Sequence, residues 1–154
     1  MLLSFVTLAK YGFNQRRLTE VDFYSICESR GITVLEKDVA TSFYFFLLGR
    51  EVIVIDSKLT GVKREFAMWH EASHALLGST NNGPRALFHG MVDSPEEDEA
   101  DAFASIALIP KENIEDASFA ENCCCGFAAK VYELRCRLFQ TYHYALVVFF
   151  CLLL

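Results

Sequence analysis

The chain has six cysteines but no C-x-x-C pair, so the usual signature of a zinc ribbon or a thioredoxin-like redox centre is missing. Its thiols are Cys27, the run Cys123-Cys124-Cys125, Cys136 and Cys151. Three adjacent side chains diverge and do not easily wrap one tetrahedral ion. The opening "MLLSFVTLAKYGF" lacks a basic leader and a small-residue cleavage site. A cytoplasmic protein with reduced, partly buried thiols is therefore expected. Basic clusters are scarce too: none exceeds the pairs Arg16-Arg17 and Lys63-Arg64, and the net charge is −6. That balance argues against direct nucleic-acid binding. No apolar run reaches the roughly 20 residues of a spanning helix. The apolar tail "ALVVFFCLLL", residues 145–154, reads as a core strand or helix end, with a membrane-surface or partner contact, or a tail altered by truncation or frameshift, as the alternatives. Internal repeats and low-complexity linkers are absent, and 154 residues at 53% hydrophobic suit one globular domain over 1–154.

What is present divides into an apolar β layer between helices. Residues 2–11 read as an amphipathic helix ended by Gly12, and 20–30 as a second helix with Gly31 just past its end. "ITVLEKDV" reads as a strand. "SFYFFLLGREVIVIDSKL" reads as a hairpin, with strands at 42–48 and 51–56 turned at Gly49-Arg50. A helix follows, with Thr60 as N-cap and a stop before Gly78. "STNNGPR" is a loop. "SPEEDEADAFASIALIP" opens another helix, with Ser94 as cap, Pro95 in the first helical position and acids in the first turn. Pro110 ends or kinks it, and a last helix covers 127–143.

The chemistry concentrates in "WHEASHALLG", which takes two of the chain's four histidines. On a helix, positions i and i+4 share a face one turn apart. His70 and His74 thus present two imidazoles at a separation that one Zn²⁺ can bridge. Glu71 lies on the adjacent flank, too far round to be a third ligand but placed to take a proton from water. A single histidine on an apolar helix is more often a satisfied core residue. Two of them flanking a glutamate are harder to explain as packing, because burying three polar groups without partners costs several kcal/mol.

A catalytic zinc takes a third protein ligand and keeps one position open. In the next helix Glu97, Asp101, Ala104 and Leu108 share a face, while Glu99 points elsewhere. Glu97 could bind the metal, with Asp101 accepting the outer N–H of a ligand histidine. The alternative makes Glu97 the N3 member of a Ser94 capping box.

"REFAMWHEASHALLG" followed by "EEDEADAFASIALIP" resembles the ImmA/IrrE family of zinc metallopeptidases. The hairpin ahead of the motif fits as well, so the likeness spans roughly residues 5–140. The resemblance implies His70, His74 and Glu97 as metal ligands, Glu71 as the base and Asp101 as the partner of a ligand histidine. It also implies an α+β, zincin-like domain, with a short antiparallel sheet packed on helices and the motif on a central helix. The expected activity is zinc-dependent endopeptidase cleavage, with a helix-turn-helix repressor as the implied substrate; the alternatives are a catalytically silent zinc-binding partner of a regulator and a membrane-associated peptidase anchored by the apolar tail. Departures are Ala72-Ser73, where the family usually has Leu-Gly, the Cys123–Cys125 run and the apolar tail.

Such a site would use zinc to bring the pKa of water to about 7, with Glu71 receiving the proton and passing it to the leaving amine. Zinc is preferred over manganese or iron from ligand type. For the developing oxyanion, His89 in the loop after the motif helix is one candidate; the plain alternative is a solvent-exposed loop histidine. Arg64, Tyr44 and Tyr142 are weaker candidates.

Overall fold

The computed structural model describes residues 10–77, 95–114, 116–123 and 126–152, with 117 and 142–152 as backbone only. Most of the expected first helix, the loop at 79–85, Ser94 and His89 lie outside these residues, as does the side chain of Tyr142.

Helix α1 (Glu20–Arg30) starts where the sequence can satisfy its first amides. Thr19 accepts from the Asp22 amide at 3.4 Å, and the Asp22 carboxylate accepts the Thr19 N–H at 2.8 Å. This is a capping box with aspartate in the third position. Arg16 grips the same carboxylate with two hydrogen bonds, 2.8 and 2.6 Å. That hydrogen bonding holds the Asp22 carboxyl well below the usual carboxylate range, although partial burial works against it. Gly31 ends the helix at φ 71, a conformation that costs glycine little.

Three strands follow: β1 (Thr33–Lys37), β2 (Phe43–Leu47) and β3 (Arg50–Asp56). The α+β class holds, but the sheet is mixed rather than wholly antiparallel. Its order is β1-β3-β2, with β1 parallel to β3 and β2 antiparallel to it. The chain passes from β1 to the far edge and returns through the middle, a route that strand patterns alone do not specify. The hairpin turn is Leu48-Gly49 rather than Gly49-Arg50, with φ 52 and 76. Two left-handed residues match the twist of a two-residue hairpin. Leu48, 91% exposed, tolerates that strain where nothing packs on it.

One face of the sheet, through Tyr44, Ile53 and Ile55, joins the buried core with Phe23 and Ile26 of α1. Above it lies helix α2 (Gly61–Leu77), in which every residue from Met68 to Leu76 is buried. A helix buried on all sides over these nine residues lies at the centre of the domain, and Trp69 meets Phe23 edge-to-face at 5.7 Å. Helix α3 (Pro95–Leu108) is the element most extensively packed on α2. Small buried residues serve both helices: Ala72, Ser73 and Ala75 on α2, and Ala100, Ala104 and Ala107 on α3. The buried hydroxyls of Ser73 and Ser105 each donate to a carbonyl of their own helix, at 2.8 Å.

A 3₁₀ turn (Lys111–Asn113), a short helix α4 (Ala117–Asn122) and helix α5 (Gly126–Leu152) complete the fold. The last helix runs nine residues beyond its expected end at 143, through most of the apolar tail. Among the described residues no helix is long and apolar enough to cross a membrane. Cys27 is a buried free thiol, and burial pushes it up to about 12. Cys136 is a half-buried free thiol.

Candidate metal centre

The regular turn of α2 puts His70 and His74 on one face, and their Nε2 atoms lie 3.2 Å apart. Both side chains are buried, at 3% and 5% exposure. The first turn of α3 then brings the Glu97 carboxylate between them. One of its oxygens is 3.2 Å from His70 Nε2 and the other 3.6 Å from His74 Nε2. All three donor groups offer an atom within 4.8 Å of one another.

Asp101, one turn after Glu97, places Oδ1 2.7 Å from His70 Nδ1. A carboxylate can only accept, so Nδ1 carries the proton and Nε2 turns its lone pair towards Glu97 and His74. Facing a carboxylate at this range is unfavourable for a lone pair unless a cation or proton lies between. Donors about 2.05 Å from a tetrahedral ion stand about 3.3 Å from each other. The separations of 3.2, 3.2 and 3.6 Å, the two to Glu97 being to different oxygens, lie near that spacing, so the residues suit a divalent ion. The Glu97 carboxylate thus meets both histidines, while the capping-box alternative involves Ser94, which lies outside the described residues.

Glu71 is fully buried. Its carboxyl is pushed up to about 8, first by burial and then by the charge of Glu97, while the backbone N–H of Tyr44 opposes the rise. A cation between the histidines would add opposite charge and favour the carboxylate. Phe66, one turn before His70, lies 6.1 Å from its ring and meets Phe127 of α5 edge-to-face at 5.3 Å.

Two of the suggested oxyanion donors are engaged elsewhere. Arg64 reaches Glu20 and Glu36 at 2.9 and 2.7 Å, across the α1–β1 surface. The Tyr44 hydroxyl donates to Glu51 at 3.1 Å. Both assignments followed residue type, and in each case a nearby carboxylate claims the donor. His89 and Tyr142 fall outside the described side chains. Sequence reasoning missed the Tyr44 backbone amide beside Glu71. No residue code announces it, because every residue but proline has one. Phe66 was more accessible, since it precedes His70 by one turn on the same face.

The site and its scaffold coincide with a known peptidase family. Residues 27–132 match the family described as the IrrE N-terminal-like domain, and the chain belongs to that family. No curated protein and no solved structure gives a match.

Proposed function

We propose that this chain is a zinc-dependent endopeptidase, with His70, His74 and Glu97 holding the ion and Glu71 acting as general base. One observation carries the reading. Two buried imidazole nitrogens and a carboxylate from a second helix lie 3.2–3.6 Å apart, near enough to share one ion, with a further buried glutamate beside them. Membership of a peptidase family supports the same conclusion from the sequence side.

When bound, zinc supplies Lewis acidity that brings water within reach of deprotonation near neutral pH and draws charge from a carbonyl oxygen. His70 is held by Asp101 in the tautomer that leaves Nε2 as donor, so its ring needs no reorientation on loading. Glu71 receives the proton of the attacking water and delivers it to the amine of the departing peptide. Its burial keeps competing solvent away from the proton. The substrate we infer is a helix-turn-helix repressor, the class implied by the resemblance of the two motifs to the ImmA/IrrE family.

Zinc content and cleavage of a helix-turn-helix repressor test the assignment together. Glu71→Gln keeps the metal and loses about 10²- to 10⁴-fold in cleavage rate. His74→Ala loses both. Should Glu71→Gln lose its zinc or retain full activity, the division of roles is wrong.

A further inference from the structure

The family match begins at Cys27 and ends at Tyr132, yet residues outside it on both sides converge on one place. Arg135 of α5, 4% exposed, donates from Nε to the Ile109 carbonyl at 2.9 Å. It also donates from Nη2 to the side-chain oxygen of Asn14 at 2.7 Å. The Asn14 carbonyl accepts from the Lys111 N–H at 3.3 Å, and the Leu18 N–H donates to the Ala107 carbonyl at 2.8 Å. Segments from before and after the matched range therefore close upon the C-terminal end of α3. The opposite end of that helix delivers Glu97.

The last carbonyls of a helix have no partner within it, and here the flanking segments supply partners. Arg135 is a costly way to do so. Both acceptors named for it are neutral oxygens, and a buried charge facing neutral groups is poorly compensated. Burial accordingly pushes its pKa down. What a guanidinium adds over an apolar side chain is direction: a planar fork fixes two acceptors at set angles.

That direction matters at the other end of α3. A helix turns as a rigid rod, with side-chain tips about 6 Å from its axis. A rotation of about 10° would move the Glu97 carboxylate by about 1 Å, while metal sites tolerate ligand distances only within about 0.2 Å.

We propose that Arg135, with Asn14 as its acceptor, is a positioning residue for the metal centre: it fixes the rotation and height of α3 and so sets Glu97 and Asp101 against His70 and His74. The inference rests on the reading of that centre as a cation site, and the controls separate the two.

The test is competition between a chelator and the 154-residue chain for Zn²⁺, with thermal unfolding of the metal-free protein alongside. Arg135→Met keeps the aliphatic stem and is expected to weaken zinc affinity about tenfold, the low end for loss of an outer partner. Arg135→Lys restores part of that loss. Asn14→Gly suits the left-handed backbone at φ 62 but removes the acceptor. It weakens zinc in the same direction and adds little in the Arg135→Met background. Val131→Ala, a buried position one turn earlier on α5, lowers stability and leaves zinc affinity unchanged.

Wild-type affinity in Arg135→Met, or an equal weakening in Val131→Ala, overturns the proposal. If Arg135→Met does not fold, Asn14→Gly alone decides, and wild-type affinity there is equally fatal. Undiminished zinc binding in His74→Ala would instead remove the reading of the centre itself, and this inference with it.

Discussion

Helix α2 supplies two of the candidate ligands and helix α3 the third, and different physics holds them. The imidazoles of His70 and His74 owe their 3.2 Å separation to a single turn of one helix, a local geometry that exists whenever that helix forms. Glu97 owes its place to tertiary packing. It reaches the pair only because small residues such as Ala72, Ala100 and Ala104 let two helices approach closely, and because α3 is set at the correct rotation. Half of the centre is therefore written in a five-residue motif, and the other half in how a domain is packed.

Breaking the comparison at its chemical extreme gives the largest effect. His74→Ala removes a donor that no other described residue is placed to replace, and stoichiometric zinc falls to background in the purified protein. Glu97→Ala leaves the histidine pair on α2 intact, so residual binding survives at much lower affinity. Measuring zinc content across a range of free metal distinguishes the two. Equal and complete loss in both variants would mean that α2 alone does not pre-form the pair.

The difference also explains what the sequence made legible. The C-terminal end of α1 was readable from Gly31, a left-handed glycine and a local signal, whereas the Thr19 cap at its start, equally local, was not singled out. The start of α2 at Gly61, directly after the expected cap Thr60, was readable in the same way. The pairing of β1 was not readable, since a parallel neighbour depends on where the chain crosses over rather than on alternation within the strand. Within the site, the histidine pair follows from spacing. The 2.7 Å approach of Asp101 to His70 was accessible only as a shared face of α3 with Glu97. The engagement of Arg64 by Glu20 and Glu36 was out of reach, because it joins residues 44 and 28 positions apart.

A substitution can also act on α3 without touching a donor. Asp101→Asn retains the side-chain shape but loses the charge that orients His70. Zinc affinity is expected to fall by about 10- to 100-fold with little change in unfolding temperature, since the Asp101 side chain is half exposed. Ala104→Leu does the reverse. It overfills a fully buried position, costs about 1–3 kcal/mol of stability, and weakens zinc by pushing the helices apart. Circular dichroism melts and chelator competition on both variants would tell orientation from packing. An Ala104→Leu protein that loses stability yet binds zinc at full strength would show that α3 has slack.

The smallest effect lies far from the centre, at the start of α1, and bears on the fold alone. Asp22 has its carboxyl held well below its ordinary value of 3.8 by Arg16 and the Thr19 amide. A group whose pKa is lowered by folding stabilises the native state above its unfolded pKa, and that contribution fades as pH falls through the folded value. The Asp22 contribution is thus complete at neutral pH and declines progressively below about pH 4. Asp22→Asn removes it at all pH values, and loss of the capping box should cost about 1 kcal/mol at pH 7. Urea unfolding at pH 7 and pH 3 should show wild type and variant converging as acidity rises. Zinc affinity at neutral pH should change little, because α1 packs chiefly on α2 and β1.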